Sequence, residues 1–218
     1  MTTLFLTGGG LPGWIWDQVR AYVREGTEVV QFPDGTGTLK EHAQLVIEAM
    51  PPGEEQVTLV AHSVSATVAA QVASMVPRRL DGVLLISSLL PPRGKSLVDV
   101  LPLVGPKLVA PQLVKSGLKL SERRIRAMLP GVAEVVIDKL LREMGAFSGQ
   151  VLADATGEPQ WPARRGYVLT TQDTAVPAGM QSRVAKRFDA TIYQLETGHL
   201  PMLTKARELA RIIERFNS

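Results

Sequence analysis

Two rhythms of apolar positions alternate along this chain. Six short runs are almost continuously aliphatic or β-branched: Thr3–Thr7, Glu28–Phe32, Val57–Ala61, Gly82–Ser87, Tyr167–Thr171 and Thr191–Leu195. Runs of this length and composition predict strands, and the near absence of a polar alternate face predicts a sheet covered on both sides. Between them, apolar residues recur at helical spacing over Ile15–Arg24, Leu39–Met50, Ala66–Val76 and Lys205–Phe216. Strands alternating with helices imply right-handed crossovers. The fold class expected is α/β, a mostly parallel six-stranded sheet with helices on both faces.

One stretch breaks the alternation. From Leu89 to about Pro159 no strand pattern stands out; prolines at 91, 92, 102, 106, 111 and 130 are mixed with amphipathic pieces such as Val132–Met144. The segment is too apolar for a linker. It is read as a helical cap at about 89–159, inserted into a single domain of residues 1–218 and placed over one end of the sheet, where such lids shape substrate pockets. Its apolar candidates for lining a pocket are Leu101, Leu103, Val104, Leu108, Leu129 and Phe147.

Composition narrows the classes. A chain of 218 residues, 45% hydrophobic and 21% charged, can bury a full core. It has no cysteine, which rules out disulfides and thiolate metal sites and fits a reducing compartment. The start runs directly into Leu4-Phe5-Leu6 without a basic n-region, and no apolar run approaches the roughly 18 residues needed to span a bilayer. A cytoplasmic protein without a membrane partner is expected. The net charge of +3 comes partly from Lys115, Lys119, Arg123, Arg124 and Arg126. That stretch holds no aromatic residue to stack on bases, so it reads as a solvated helix face and not a nucleic-acid surface. Nothing in the chain fixes an oligomeric state.

Ala61-His62-Ser63-Val64-Ser65 joins the third strand run to the helix pattern from Ala66. A serine flanked by small residues on a sharp strand-to-helix turn is the layout of a nucleophile elbow. Glycine is usual at the flanks; here they are Ala61 and Ser65. A serine nucleophile needs a base, and the chain has three histidines. His42 lies within a helix pattern and reads as a surface or structural residue. His62 adjoins the serine, but its side chain is expected to point away, as a packing residue. His199 follows the last strand run, on the kind of loop where catalytic groups gather. The acid to orient its imidazole is Asp173, just after the fifth run; Asp81 and Asp189 precede strands and fall at the wrong edge, and Asp154 and Glu158 near the end of the insertion are weaker candidates. The order Ser63, Asp173, His199 is that of α/β-hydrolases.

Thr7-Gly8-Gly9-Gly10-Leu11-Pro12-Gly13 follows the first strand run and admits two readings. Gly8, Gly10 and Gly13 match G-x-G-x-x-G, with Asp34 near the position of a ribose-binding acid. Against a dinucleotide, Pro12 removes an N–H at the turn. Short-chain dehydrogenases also pair a tyrosine with a lysine four residues on, and Tyr22, Tyr167 and Tyr193 lack that lysine. The other reading is an oxyanion hole, with Gly9 and Val64 N–H groups as donors. Gly8, Gly10, Trp14 and Leu200 are the candidate substrate contacts.

With these segments in view, the chain resembles the α/β-hydrolases, and more narrowly the branch holding plant methylesterases and hydroxynitrile lyases. The resemblance is carried by Leu6-Thr7-Gly8-Gly9-Gly10 with Trp14-Ile15-Trp16, Val60-Ala61-His62-Ser63, Ser88-Leu89-Leu90-Pro91, Thr171-Gln172-Asp173 and Gly198-His199-Leu200-Pro201-Met202-Leu203. It implies a serine hydrolase acting on a small or medium apolar ester, a small-molecule substrate, without cofactor or metal. Lyases of the branch carry threonine where Gly8 stands and lysine where Leu200 stands, so both positions are esterase-like. A non-hydrolytic enzyme on the same triad (cyclase, lyase or acyl transferase) and a slow-turnover ligand receptor remain open at this point.

Overall fold

A computed structural model describes residues 2–24, 26–100, 111–112 and 114–218. Among the described residues, six strands form one sheet: β1 (Thr2–Leu6), β2 (Gly26–Val30), β3 (Val57–His62), β4 (Leu80–Ile86), β5 (Arg164–Thr170) and β6 (Thr191–Leu195). Their order is β2-β1-β3-β4-β5-β6 and every pairing is parallel. The chain steps from β1 outward to β2, then crosses back to place β3 on the other side of β1. That reversal opens a crevice at the carboxyl ends of β1 and β3, where ligands of open α/β sheets bind.

Alternate strand residues feed two cores. Leu4, Leu6, Leu59, Ala61, Leu85 and Leu169 point to one face; Phe5, Val60, Leu84, Ile86 and Val168 point to the other. The first face is covered by α2 (Leu39–Glu48), α3 (Ala66–Met75) and α7 (Ala178–Arg187), through side chains such as Val46, Val72 and Val184. The second is covered by α1 (Asp17–Arg20) and α9 (Ala206–Asn217), through Val19, Leu209, Ile213 and Phe216. β3 and β4 are thus apolar on both faces because both faces are buried, while the edge strands β2 and β6 keep exposed positions.

The first helix differs from the expectation over Ile15–Arg24. The chain makes a 3₁₀ turn at Gly13–Trp16 and then only the short α1. It has to turn back toward the edge strand at Gly26, so the repeat continues as i→i+3 turns, from Tyr22 N–H to Val19 O and from Val23 N–H to Arg20 O. Apolar spacing was satisfied by turns as well as by a helix.

Between β4 and β5 the described residues carry α4 (Glu122–Met128), α5 (Glu134–Glu143) and α6 (Gly149–Ala153), with an isolated antiparallel bridge, Leu118 to Phe147. Ile125, Ile137 and Leu140 join the second core, and Val151 and Leu152 the first. The segment is tied to the loops after β1 and β2. Gly145 N–H donates to Gly10 O (2.9 Å), Ala146 N–H to Asp34 Oδ1 (2.6 Å) and Gly35 N–H to Ala146 O (2.9 Å). Leu39 N–H, at the start of α2, donates to Asp154 Oδ2 (2.9 Å).

Leu59 is fully buried in β3, the strand that delivers Ser63. Leu59→Ala is expected to cost about 2–5 kcal/mol, read as a lower urea midpoint with an unchanged slope. An unchanged midpoint would show that the sheet repacks around the cavity.

Candidate active site

Ser63 sits where β3 breaks into a 3₁₀ turn, Ser63–Ser65, that runs into α3. Its φ is 56°, in the left-handed region that costs a residue with a Cβ about 1–2 kcal/mol. That turn lifts the side chain out of the sheet edge. The flanking positions are both fully buried. Ala61 is small enough, and Ser65 is more than small: its hydroxyl hydrogen-bonds Leu6 O (3.2 Å) and His62 O (2.8 Å). It therefore ties the elbow to the last residue of β1.

The glycine-rich loop lies directly against that turn. A Cβ on Gly8 would stand 2.4 Å from His62 O and 3.0 Å from Ser63 Cβ, so only glycine permits the approach. Gly9 has φ +64°, and a Cβ there would meet Leu120 Cδ1 at 3.7 Å. Gly10 has φ +74°, and its Cβ side is filled by Gly145 O at 2.3 Å. The Val64 N–H belongs to the first turn of its helix, where intrahelical bonding leaves donors over.

His199 Nε2 lies 3.0 Å from Ser63 Oγ, and His199 Nδ1 lies 2.7 Å from Asp173 Oδ2. A carboxylate only accepts, so Nδ1 carries the proton and Nε2 faces the hydroxyl with a lone pair. Asp173 and His199 are 7% and 4% exposed, sealed enough for these bonds to act in a low dielectric. Their loops are stitched together by Thr171 N–H to Leu195 O (3.1 Å) and Gln172 N–H to Thr197 O (3.0 Å). Burial pushes the Asp173 carboxyl up. The bond from His199, the charge of His199, and N–H donation from Val176 (2.9 Å) and Ala175 (2.7 Å) outweigh it, so the carboxyl stays below its usual range.

The alpha/beta hydrolase family model matches residues 3–212. The chain belongs to the alpha/beta hydrolase family. A curated relative, norfluorocurarine synthase 2 from a Strychnos species, is 23% identical over 94% of this chain and 91% of its own length. Among solved structures, similarity extends to an extracellular alpha/beta-hydrolase from a Paenibacillus species, described as sharing structural and functional homology with tobacco salicylic acid binding protein 2. It has a TM-score of 0.80, 17% identity, and coverage of 99% of this chain and 98% of that one. The methylesterase protein MES16 from Arabidopsis has a TM-score of 0.77, 13% identity, and coverage of 99% and 98%. The plant-esterase resemblance read from the motifs is thus matched by relatives of that kind.

In this alpha/beta hydrolase the remaining sequence candidates fall as follows. Leu200 is 1% exposed and packs in the second core, and Gly10 faces the Gly145 backbone; neither presents a side chain to a ligand. Trp14 packs on the second core, with Lys139 Nζ 4.4 Å from its ring centroid on α5. Leu129, read as possible pocket lining, is 1% exposed and packs in the second core; Phe147 is 2% exposed and packs in the first core, but also lines a cavity of about 330 Å³ beside Gly10 and Met144; Leu101, Leu103, Val104 and Leu108 lie outside the described residues. Leu120, absent from that set, is the cap side chain that reaches the Gly9 loop. Asp34 accepts from Ala146 N–H and Gly10 from Gly145 N–H, so a cap segment occupies both features of the dinucleotide reading. Asp81 pairs with Arg164, and Asp189 with Arg165, at the opposite sheet edge. Arg126 pairs with Glu122, Glu134 and Asp138, which leaves the basic stretch a solvated, partly paired face. Among the described residues no group of three or more metal-ligating side chains occurs, and no helix is long and apolar enough to cross a membrane.

The other two histidines are both buried. His42 is fully buried, stacked on Phe32, with Nδ1 3.1 Å from Thr38 O; it is structural and not at the surface. His62 does point away from Ser63, yet it does more than pack. Its Nε2–H donates to His199 O at 2.9 Å, and the two rings lie 4.8 Å apart. Complete burial, with the neighbouring His199, holds the His62 pKa down to about 3.

An elbow flank with glycine would lose the Ser65 hydroxyl bonds and gain unfolded-state freedom. Ser65→Gly is therefore expected to lower stability by about 1–2 kcal/mol, measured by urea denaturation. A gain in stability would show that the turn is strained by its side chains. His62 is neutral in the fold but takes a proton below about pH 6.5 when unfolded. The unfolded chain then binds more protons, so the stability His62 contributes is full above that pH and is lost as pH falls toward its folded value. His42 and Asp173, also lowered, act in the same direction, Asp173 only below the ordinary carboxylate range. The melting temperature is expected to fall between about pH 7 and 4, and His62→Gln, which keeps a donor for His199 O, to flatten that slope. An equally steep slope in the variant would assign the acid sensitivity to other groups.

Proposed function

We propose that this protein is a serine hydrolase that cleaves a small or medium apolar carboxylic ester through an acyl-enzyme. The single observation that carries the reading is the unbroken line Ser63 Oγ, His199 Nε2, His199 Nδ1 and Asp173 Oδ2, at 3.0 Å and 2.7 Å. Such a line makes a weak hydroxyl nucleophilic at neutral pH.

In this mechanism Ser63 Oγ attacks the ester carbonyl carbon as its proton passes to His199 Nε2. The carbonyl π pair moves to oxygen, and the resulting charge is met by the Gly9 and Val64 N–H groups. Asp173 stabilises the imidazolium and keeps its proton on Nδ1. As the tetrahedral intermediate collapses, the C–O bond to the alcohol breaks and His199 delivers its proton to the departing oxygen. Water then enters, gives a proton to His199 and attacks the acyl carbon; collapse releases the acid and returns the proton to Ser63. No cofactor or metal takes part. The apolar preference rests on Leu120 beside the oxyanion loop.

A second reading has one observation in its favour: the curated relative is named as a synthase. On that reading the same three residues act on a biosynthetic intermediate and hydrolysis is incidental. The two readings part in a p-nitrophenyl ester panel of rising acyl length. On the hydrolase reading, acetate to hexanoate turn over steadily. Ser63→Ala loses activity on the order of 10⁶-fold in kcat and Asp173→Asn about 10⁴-fold, and a fluorophosphonate labels Ser63. Labelling without turnover across the panel would favour the non-hydrolytic enzyme or a ligand-binding role. Turnover surviving in pure Ser63→Ala would overturn the assignment of the nucleophile.

A further inference from the structure

Behind Asp173 lies a buried polar group that the mechanism above does not use. Gln181, on α7, is fully buried. It occupies the stripe Gln181, Val184, Ala185, Phe188, where packing alone would be met by leucine. Its Oε1 accepts from Thr170 N–H at 3.0 Å. A backbone N–H only donates, so the amide orientation is fixed and Nε2 faces the other way. Nε2 lies 3.0 Å from Asp173 Oδ2, 2.7 Å from Val176 O and 3.2 Å from Thr170 O. Asp173 Oδ2 is the same oxygen that accepts from His199, and Thr170 Oγ1 donates to it as well at 3.2 Å. Thr170 Oγ1 in turn lies 2.8 Å from the Ser87 hydroxyl.

We infer that Gln181 is the positioning residue of this site, its amide holding Asp173 Oδ2 in line with His199 Nδ1, with Thr170 as its helper. The inference rests on the reading of Ser63, His199 and Asp173 as the reacting centre. Oδ1 is fixed by Ala175 and Val176 N–H groups on the Asp173 loop. Oδ2 is fixed from β5 and α7. A carboxylate held on both oxygens cannot rotate away when His199 takes a proton, and the preorganisation costs nothing at the moment of reaction. Removing the amide leaves Oδ2 one strong donor short and leaves Val176 O and Thr170 N–H without their buried partner.

Gln181→Glu tests this with almost no change of shape. It keeps the acceptor for Thr170 N–H and sets a second carboxyl about 3 Å from Asp173, too close for both to ionise. While protonated, the new carboxyl donates to Oδ2 as the amide did; once ionised it repels Asp173. The titratable groups facing this pair are His199 after β6, His62 from β3 and Tyr167 from β5. Arg183, Lys186 and Arg187 of α7 lie on its exposed side. With p-nitrophenyl acetate, kcat/KM of the parent is expected to rise with pH to a plateau. The variant is expected to rise and then fall on the alkaline side, with the rate of Ser63 labelling by fluorophosphonate following the same bell. A variant that keeps the parental plateau overturns the positioning role. Thr170→Val guards against misfolding of the first variant: kcat is expected to drop about tenfold with KM unchanged, and an unchanged kcat overturns the proposal. Ser63→Ala runs beside both. If it still turns over, the reading of the reacting centre falls and this inference with it. If it is inactive while Gln181→Glu behaves as the parent, the positioning role alone is refuted.

Discussion

The site depends on one close approach, the backbone of Gly8 against the carbonyl of His62. Parallel register pairs Leu6 with Ala61, so the first residues beyond β1 run alongside the elbow that ends β3. There is no room for a Cβ at Gly8, with His62 O 2.4 Å from where it would stand. Sheet topology makes this contact available, because β1 and β3 are neighbours at the point where the strand order reverses. On the proposed mechanism, the oxyanion would meet backbone that follows two adjacent strands. Backbone held by a sheet moves less than a loop side chain, which favours preorganised charge stabilisation.

The elbow itself shows how a flank without glycine is accommodated. Ser63 carries a positive φ, and the strain has to be met locally. Ala61 is fully buried in β3, and the single Ser65 hydroxyl proton is shared between the carbonyls of His62 (2.8 Å) and Leu6 (3.2 Å). A glycine there would relieve crowding but leave those carbonyls with fewer donors. The substitution is thus compatible with a tight turn and adds a tie between the two segments that flank the reacting atoms. Ser87, at the end of β4, also has a positive φ, and its hydroxyl reaches Thr170. Serines in the left-handed region at two neighbouring strand ends both contribute hydroxyls to the site's hydrogen bonds.

Much of this was legible in the sequence where the physics is local. Strand runs apolar on both faces, a small-flanked serine between strand and helix, and an acid and a histidine after the last two strands all follow from short-range patterns. The misreadings share a cause. Ile15–Arg24 has helical spacing, but the return to β2 at Gly26 converts it to turns. Leu200 looks like a substrate contact until burial assigns it to the second core. His62 looks like a packing residue because its partner is remote in sequence: the carbonyl that it serves is 137 positions away. Gln181 left one trace, a polar residue on an otherwise apolar helical stripe eight residues after Asp173.

His199 is held from two sides by groups of opposite electrostatic character. Asp173 grips the ring at Nδ1 with a full negative charge. His62 grips the backbone carbonyl from beneath, and its burial keeps it uncharged. The difference matters because the rings lie 4.8 Å apart. A cation at that distance would oppose formation of the imidazolium by several kcal/mol at an effective dielectric of about 20. On the proposed mechanism it would raise the barrier to proton uptake from Ser63 by much of that amount. Burying a histidine without a counter-charge therefore supplies a hydrogen-bond donor that positions the base and adds no field against it. A lysine or arginine could supply the donor but would remain charged more readily. Neutral donation on one side and anionic acceptance on the other leave the imidazole oriented, with the field of Asp173 favouring the proton transfer that the proposed mechanism requires.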